Sequence, residues 1–464
     1  MVQHHFLLVS FPAQGHLNPA LQLAHRLTRM GVLVTLATTV RMHRGLDKTS
    51  TIPGLSFAPF SDGYDDGFKP EEGKVSDDFI ASYLLELRRR GSESIANLIA
   101  SVKQNGGHPF TCIVHTMLLT WATELARQLH LPSALLWAQP ATVFSIYYYY
   151  FKDDDFIRNK LSSVSNLMEL PGLPPFEPRD LPSFITSPSG VYAFLLPSLG
   201  EDLRILQQEP NPIVLANTFE ELEANALRAV GDSFRMMAVG PLVPSVLLHR
   251  KDSVDSCNYD YMEWLDSKPE SSVIYVSFGS LCVLSKRQME EIARGLIDSE
   301  RPFLWSIREE KEQEKVSEYM EEIEGKGKIV RWCKQAEILS HRSLGCFVSH
   351  CGWNSSLESL AAGVPVLGVP QWGDQTTNSM LTEQVWKTGV RVKVAGGGGG
   401  GIARADEIRR CVEEVMGNGE KGKEVRKNVA RWREASRGAM EEGGSSDRNL
   451  RALLDQLSAA PSNC

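Results

Sequence analysis

The stretch "FLLVSFPAQGHLNPALQLAHRLTRMGVLVTLATT", residues 6–39, decides the fold class. Residues 6–11 form a short apolar run typical of a strand, and the loop "PAQGH" follows it. A helix is predicted next, with Asn18 and Pro19 at its first positions and Gly31 at its end. Residues 32–39 are then predicted to form a second strand. Such a strand, helix and strand unit builds a parallel sheet that is covered by helices.

The same alternation returns after residue 270. Four apolar segments there are typical of strands, namely "SSVIYVSFGS", "PFLWSI", "GKIVRW" and "GCFVS", and residues 286–297 have a helical pattern. Between the two halves, "AVGPLVPSVLLHRKDSVDSCN" has two prolines and a polar tail without helical period, which is typical of a linker. We therefore predict an N-terminal domain over 1–242, a linker over 243–256 and a C-terminal domain over 257–444.

Length, charge and cysteine usage narrow the class of protein. With 464 residues, the chain is long enough for two domains of about 200 residues each. A formal charge of -8 gives no basic surface for a nucleic acid, so a nucleotide ligand would need a small dedicated site. The eight cysteines form no CxxC pair, which fits a reducing compartment. We expect a cytoplasmic protein without a signal peptide or a membrane span.

A second stretch, "CFVSHCGWNSSLESLAAGVP" over residues 346–365, concentrates polar side chains where a strand meets a helix. His350 and Cys351 are neighbours in sequence, which disfavours their binding one metal ion, and we predict no metal site. Cys351 lies near a helix start, where a thiol pKa falls, but cysteine is also a common buried residue. The glycines at 396–401 formally satisfy GxGxxG, yet a homopolymer satisfies any glycine pattern, and a flexible connector is favoured.

Phosphate binding uses more of this second stretch. A strand ending at Ser349 and a helix starting near Ser355 would direct backbone N–H groups and the positive helix end into the loop. Gly352 allows close approach of the backbone, and Asn354 adds a side-chain donor. A capping box of Ser355 with Glu358 explains the same residues equally well. Spacing alone leaves both interpretations open.

Residues 332–375, "WCKQAEILSHRSLGCFVSHCGWNSSLESLAAGVPVLGVPQWGDQ", resemble the complete 44-residue signature of plant family 1 UDP-dependent glycosyltransferases. The resemblance continues through "FPAQGHLNP", "NTFEELE", "WLDSKP", "YVSFGS" and "GGSS" over nearly the whole chain. It implies an α/β glycosyltransferase B fold with two Rossmann-like doubly wound domains facing across a cleft. The donor would bind mostly to the C-terminal domain and the acceptor mostly to the N-terminal one. A terminal helix, residues 445–464, would pack back on the N-terminal domain.

The resemblance also assigns donor-binding positions. It implies that uracil stacks on Trp332, whose indole offers a large flat face, with the Cys333 backbone at the base edge. Gln335 and Glu358 fall on the ribose positions. The diphosphate positions are Ser280, His350, Asn354 and Ser355, the sugar positions are Trp353, Asp374 and Gln375, and Gly15 and Gly352 are further donor-binding positions. In the family, glutamine at the last position is associated with glucose and histidine with galactose.

His16 falls on the family's general base, and histidine is the side chain whose pKa suits that role at neutral pH. The family usually orients this histidine with an aspartate in a segment like "VYDSFLPWA", whereas this chain has "VHTMLLTWA" with Thr116 at that position. A hydroxyl can hold the ring by a hydrogen bond but cannot balance an imidazolium charge. We therefore expect Thr116 to be the orienting partner of a weaker base, and acidic acceptors such as phenols or carboxylic acids to be preferred.

The implied reaction is inverting transfer of glucose from UDP-glucose to a hydroxyl or carboxyl of a small hydrophobic plant metabolite. A flavonoid or other phenolic is expected, with a beta-glucoside as product, in a branch that resembles anthocyanin 5-O-glucosyltransferases and the glucosyltransferases of crocetin and abscisate. No cofactor is needed besides the donor substrate, and a monomer is expected. Rival interpretations are a C-glycosyltransferase, an enzyme forming glucose esters, and a non-catalytic nucleotide-sugar binder.

Overall fold

The computed structural model describes residues 3–46, 52–67, 77–152, 157, 167–187, 194–248, 259–395 and 401–459. The predicted linker lies outside these residues from 249 onward, and so does the glycine run over 396–400.

Parallel strands form the two larger sheets of the part of the chain that the structure describes, and two short strands, Val394–Ala395 and Ile402–Ala403, form a separate antiparallel pair. The strands are β1 His5–Val9, β2 Leu33–Thr39, β3 Leu55–Phe60, β4 Cys112–Thr116, β5 Ser133–Trp137, β6 Ile213–Ala216, β7 Arg235–Ala238, β8 Val273–Ser277, β9 Phe303–Ser306, β10 Gly327–Val330, β11 Leu344–Ser349, β12 Val366–Gly368, β13 Gly389–Arg391, β14 Val394–Ala395 and β15 Ile402–Ala403.

Helices connect these strands. They are α1 Gln14–Arg29, α2 Val40–Arg44, α3 Asp77–Gln104, α4 Thr120–Gln128, α5 Ala141–Lys152, α6 Ser183–Thr186, α7 Leu195–Leu206, α8 Glu220–Ala229, α9 Ser245–Leu248, α10 Asp260–Asp266, α11 Lys286–Asp298, α12 Glu310–Gln313, α13 Met320–Lys326, α14 Gln335–Leu339, α15 Trp353–Ala362, α16 Gln375–Met380, α17 Ala405–Met416, α18 Glu420–Met440 and α19 Ser445–Ala459. Short 3₁₀ turns lie at Pro178–Asp180, Gly231–Ser233 and Glu314–Tyr319, and a π turn lies at Leu381–Val385.

The first of two compact units contains Met1–Pro175, Ser187–Leu242 and Glu441–Cys464. Its seven-stranded parallel sheet has the order β3-β2-β1-β4-β5-β6-β7. Apolar side chains of α1 and α19 cover one face of the sheet, and those of α3 and α4 cover the other. Because both faces are covered, consecutive residues of β1 and β4 are buried rather than every second one.

Helix α19 belongs to this first unit although it is last in sequence. Leu450 and Leu453 are fully buried in the core against the sheet. Ser446 Oγ donates to the Gly240 carbonyl at 2.5 Å, and Asn449 Nδ2 donates to the Ala238 carbonyl at 2.9 Å. These bonds satisfy carbonyls at and just beyond the end of β7, and so fix the helix beside that edge strand.

The second unit contains Phe176–Thr186 and Val243–Met440. Its six-stranded parallel sheet has the order β10-β9-β8-β11-β12-β13. A continuous apolar core fills the space between this sheet and helices α11 and α17. Ser285 begins α11 as its N-cap, because its side chain accepts a hydrogen bond from the Gln288 N–H at 3.2 Å.

Helix α1 begins earlier than the sequence predicts. The predicted start at Asn18 and Pro19 is wrong, because the backbone is already helical at Gln14. The Leu17 N–H donates to the Ala13 carbonyl at 2.9 Å, which closes the first turn across the predicted loop. His16 is therefore held in the first turn of a helix rather than in a loop.

None of the helices described is long and apolar enough to cross a membrane.

Candidate active site

The register of the second sheet brings three loops side by side. Ser349 at the end of β11 lies opposite Ser277 of β8 and opposite Gly368 of β12. The carboxyl ends of these parallel strands are therefore level, and the loops that follow them share one edge of the sheet. Open α/β sheets bind ligands at this edge.

Helix α15 begins at this edge. Its N-cap is Gly352. The first helical hydrogen bond is made by the fourth residue, Ser356, whose N–H donates to the Gly352 carbonyl at 3.0 Å. The N–H groups of 353–355 precede that bond, at the positive end of the helix. The capping-box alternative is wrong, because Ser355 is the third helical residue and not the N-cap.

His350 lies between two glycines at the same edge. A Cβ on Gly279 would come within 2.6 Å of His350 Nε2, and a Cβ on Gly352 within 2.5 Å of the same atom. Burial, with a smaller contribution from Arg308, lowers the pKa of His350 to about 4, so the ring is neutral at pH 7. His350 Nδ1 is buried and has no hydrogen-bond partner among the residues described. A neutral imidazole can offer one N–H to an anion at this position.

One amide joins two of the loops. Asn378 Nδ2 donates to the Cys351 carbonyl at 2.9 Å and to Asp374 Oδ2 at 2.7 Å. Cys351 has φ +62°, an uncommon backbone conformation for a residue other than glycine. Burial raises the pKa of Asp374 to about 6. Sequence reasoning missed Asn378, because nothing in its helical pattern marks a buried amide.

Gln375 organises the turn after β12, which comprises residues 371–375 and is named here the β12 turn. Its Oε1 accepts from the Gln371 N–H at 2.9 Å and from the Trp372 N–H at 3.1 Å. Both partners are donors, so the side-chain oxygen must face them and the amide nitrogen remains the group that can bind a ligand. The oxygen of Gln375 is thus already used, and its Nε2 is the group that can donate.

Gln335 connects the start of α14 with α15. Its Nε2 donates to Glu358 Oε2 at 2.6 Å and to Ser355 Oγ at 3.0 Å. Its Oε1 accepts from the Tyr275 hydroxyl at 3.3 Å, a partner that the sequence did not reveal. Burial raises the pKa of Glu358 to about 7, although the Gln335 bond lowers it. The two predicted ribose-binding side chains are thus in direct contact.

Two tryptophans of the signature have opposite surroundings. Trp332 is 58% exposed, which is unusual for so large an apolar side chain, and its free face suits stacking with a planar ring. Trp353 is 3% exposed and packs against Trp386 with 5.8 Å between ring centroids. A sugar contact by Trp353 would therefore have to use its backbone. Ser280 is exposed in the loop after β8, and the Cys333 thiol contacts the Tyr275 hydroxyl at 3.2 Å.

In the first unit, His16 follows the carboxyl end of β1, three residues after the N-cap Ala13 and next to Gly15. Its ring lies 5.1 Å from that of Phe11, centroid to centroid. Burial lowers the pKa of His16 to about 4, and its Nδ1 has no hydrogen-bond partner among the described residues. His16 is therefore a neutral imidazole at pH 7, in the state that can accept a proton.

Thr116 does not hold His16 in the part of the chain that the structure describes. Its Oγ1 accepts from the Phe11 N–H at 2.9 Å, so it fixes the backbone between β1 and α1. Thr116 thus binds the backbone of Phe11, the residue whose ring lies beside that of His16.

Two buried ionisable groups near β4 escaped the sequence analysis. His115 Nδ1 donates to the Thr116 carbonyl at 3.0 Å, while its Nε2 accepts from Thr123 at 2.7 Å. Asp202 accepts from the Leu118 N–H at 2.7 Å, and burial raises its pKa to about 7. No motif marks either residue, and the partner of Asp202 lies 84 positions away in sequence.

A search of the described residues finds no group of three or more His, Cys, Asp or Glu side chains that could hold a metal ion.

Comparisons with known proteins agree with this geometry. Residues 249–418 match the family model described as UDP-glucoronosyl and UDP-glucosyl transferase. The chain is 51% identical to phloretin 4'-O-glucosyltransferase from Malus domestica, with 98% of each chain covered. It is 49% identical to crocetin glucosyltransferase, chloroplastic, from Gardenia jasminoides, with 98% of this chain and 97% of that one covered.

The structure resembles that of Os79 from O. sativa in complex with UDP and deoxynivalenol-3-glucoside, whose glucose moiety is not resolved. The TM-score is 0.82 and the identity 31%, and the match covers 98% of this chain and 100% of the other.

Gly352→Ala is expected to displace His350, because the added Cβ would lie 2.5 Å from its ring. We expect kcat/KM for the nucleotide-sugar donor to fall by about a hundredfold, as when one positioned donor to an oxyanion is lost. Gly325→Ala is the matched control, since nothing lies within 4 Å of its added Cβ. Equal activity of the two variants would contradict this role of the glycine.

Proposed function

This chain belongs to the UDP-glucoronosyl and UDP-glucosyl transferase family, and we propose that it transfers glucose from UDP-glucose to a small phenolic acceptor. It is a glycosyltransferase with a glycosyltransferase B fold, as its resemblance to the plant enzymes predicted. The observation that carries the proposal is the set of polar groups at the carboxyl edge of the second sheet, which fits a nucleotide sugar.

The second unit would bind the donor in three parts. Uracil stacks on the exposed face of Trp332, and Gln335 with Glu358 binds the ribose hydroxyls. The diphosphate receives the N–H groups that begin α15 together with the neutral ring of His350. The glucose hydroxyls meet Asp374 and the amide nitrogen of Gln375.

The reaction is a single displacement at the anomeric carbon. The acceptor oxygen forms a bond to that carbon while the bond to the diphosphate oxygen breaks, and the electron pair leaves with UDP. His16 Nε2 takes the proton of the acceptor hydroxyl as the general base. The N–H groups of α15 and His350 stabilise the charge that develops on the leaving diphosphate. Attack opposite the leaving group converts an alpha-linked donor into a beta-glucoside.

The environment of His16 favours acidic acceptors. Burial makes its imidazole a weak base, and Thr116, which accepts from the Phe11 N–H, is not a carboxylate and cannot balance a charge on the ring. A phenol, whose pKa is near 10, loses its proton far more readily than an aliphatic alcohol. The name of the Malus relative indicates a phenolic acceptor, and that of the Gardenia relative indicates crocetin, a dicarboxylic acid. A carboxylate acceptor and a glucose ester are therefore the second candidate.

Location and assembly stay predictions. We propose a cytoplasmic monomer that works without a cofactor besides its donor substrate. The Gardenia relative is named as chloroplastic, so its compartment differs from the one proposed here.

The first test is a mass-resolved assay of purified wild-type and His16→Ala protein with UDP-glucose. The acceptors are phloretin, anthocyanidins, crocetin and an aliphatic alcohol. We expect a gain of one hexose on the phenols, and a loss of about a hundredfold to ten-thousandfold in kcat in the variant, the range for general-base catalysis.

Hydrolysis of the products separates the rival linkages. A glucose ester is cleaved by mild alkali, and a C-glycoside resists acid. Fastest turnover of the aliphatic alcohol would contradict the acceptor class, and no product from any acceptor while UDP-glucose binds would favour a non-catalytic binder.

The lowered pKa of His16 predicts an unusual pH profile. At saturating UDP-glucose, kcat/KM for the acceptor should fall with acid only as pH approaches about 4, because the ring stays neutral above that value. Saturation with donor separates this effect from the titration of Asp374 and Glu358. A fall centred near pH 6.5, the ordinary histidine value, would contradict the burial of the base. Far-ultraviolet circular dichroism at each pH excludes unfolding.

Gln375→Glu tests the donor role of the amide nitrogen. A carboxylate can still accept from Gln371 and Trp372, so the β12 turn should persist, but it cannot donate to a glucose hydroxyl. We expect about a tenfold loss in kcat/KM for UDP-glucose, with the inhibition constant of UDP unchanged. Gln384→Glu, at an exposed position of the same unit, is the matched control. Weaker UDP binding in Gln375→Glu alone would show that the turn itself had collapsed.

A further inference from the structure

Residues Phe176–Thr186, named here the crossing segment, leave the chain of the first unit and belong to the second. The segment is followed by Ser187, with which the first unit resumes. No sequence motif used above lies in it. Its contacts within the second unit centre on the β12 turn and on the helix that follows.

Ser183 of the crossing segment holds Gly373 at two points. The Gly373 N–H donates to Ser183 Oγ at 2.7 Å, and the Ser183 N–H donates to the Gly373 carbonyl at 2.8 Å. Gly373 has φ +69°, and Phe184 lies 3.4 Å from where its Cβ would be. The turn is thus fixed at its positive-φ glycine by a segment 190 positions away in sequence.

Two threonine hydroxyls of α16 also donate hydrogen bonds to the crossing segment. Thr376 Oγ1 donates to the Leu181 carbonyl at 2.7 Å, and Thr377 Oγ1 donates to the Asp180 carbonyl at 2.6 Å. Asp180 also forms a buried ion pair with Arg391 at 2.6 Å, where the two side chains are 2% and 14% exposed. Removal of one partner of a buried ion pair is strongly destabilising, so this ion pair fixes the Asp180 part of the crossing segment to the second unit.

Two side chains accept hydrogen bonds from the backbone N–H groups of the β12 turn. Gln375 binds the N–H groups of Gln371 and Trp372, and Ser183 binds the next N–H, that of Gly373. The following residue is Asp374, whose carboxylate is held by Asn378. Without Ser183, Gly373 keeps one side-chain hydrogen bond among the described contacts, the long one of 3.5 Å that its carbonyl accepts from Thr376 Oγ1.

We infer that the crossing segment positions the β12 turn for the hexose of the donor, with Ser183 as the positioning residue. The inference rests on the proposed function, which places Asp374 and Gln375 on the glucose. It assigns a role in hexose recognition to residues that do not touch the sugar. In the proposed function the uracil, ribose and diphosphate are bound by other loops, so we expect the main effect of the segment to fall on the hexose.

Ser183→Ala tests this inference in the full-length protein. We expect KM for UDP-glucose to rise and kcat to fall, for a combined loss of about fivefold to tenfold in kcat/KM, the effect of one neutral hydrogen bond. The preference for UDP-glucose over UDP-galactose should narrow, while the inhibition constant of UDP stays the same. Ser183→Thr keeps the hydroxyl and should restore most of the activity.

Ser299→Ala is the matched control, because Ser299 is similarly half-buried and its hydroxyl bonds a backbone carbonyl at 2.6 Å. Thr376→Val is a second variant, which removes the hydrogen bond from α16 to the Leu181 carbonyl. Unchanged kinetics in both Ser183→Ala and Thr376→Val would overturn the inference. So would an equal loss of UDP binding and glucose transfer, since that would indicate a general structural role. Wild-type protein without glucosyl transfer would instead refute the proposed function itself.

Discussion

The two hydrogen bonds from the amide of Asn378 are the interaction on which the candidate site most depends. One bond holds the carbonyl of Cys351, in the loop that begins α15, and the other holds the carboxylate of Asp374. The first loop has an uncommon left-handed backbone at Cys351, a conformation that costs about 1–3 kcal/mol and persists only where surrounding contacts fix it. Asn378 is fully buried, so water cannot replace these bonds. The loop proposed to bind the diphosphate and the turn proposed to bind the hexose therefore keep one relative geometry.

Burial sets the chemistry of the ionisable groups in each unit. His16 in the first unit and His350 in the second both have pKa values lowered to about 4, so both are neutral under physiological conditions. As a neutral base, His16 can take the proton of the acceptor hydroxyl. As a neutral hydrogen-bond donor, His350 can stabilise the leaving diphosphate without adding a charge that would hold UDP after the transfer. Burial has the opposite effect on Glu358, whose raised pKa of about 7 weakens its charge beside the proposed ribose site. Burial thus sets the charge state of each of these three side chains for its proposed role.

The sequence predicts the α/β class and the strands that frame the site, because buried parallel strands are apolar runs that are easily recognised. The sequence does not predict the residues at which individual helices begin. Serine is a preferred N-cap, so the sequence favours Ser355 as the helix start, but the helix begins after Gly352, which follows the left-handed residue Cys351. It also fails where partners are distant. The hydroxyl of Thr116 binds Phe11 instead of His16, and Ser183 binds Gly373, pairings that only the folded chain brings together.

The anomeric configuration of the product tests the central claim most directly, namely that one displacement carries glucose from the diphosphate to an acceptor whose proton His16 removes. Proton nuclear magnetic resonance of the glucoside made from phloretin and UDP-alpha-glucose distinguishes the two anomers by the coupling of the anomeric proton. The large coupling of a beta-glucoside is the predicted result. An alpha-glucoside would contradict the account, because it requires a second displacement and a nucleophile that the proposed mechanism does not contain.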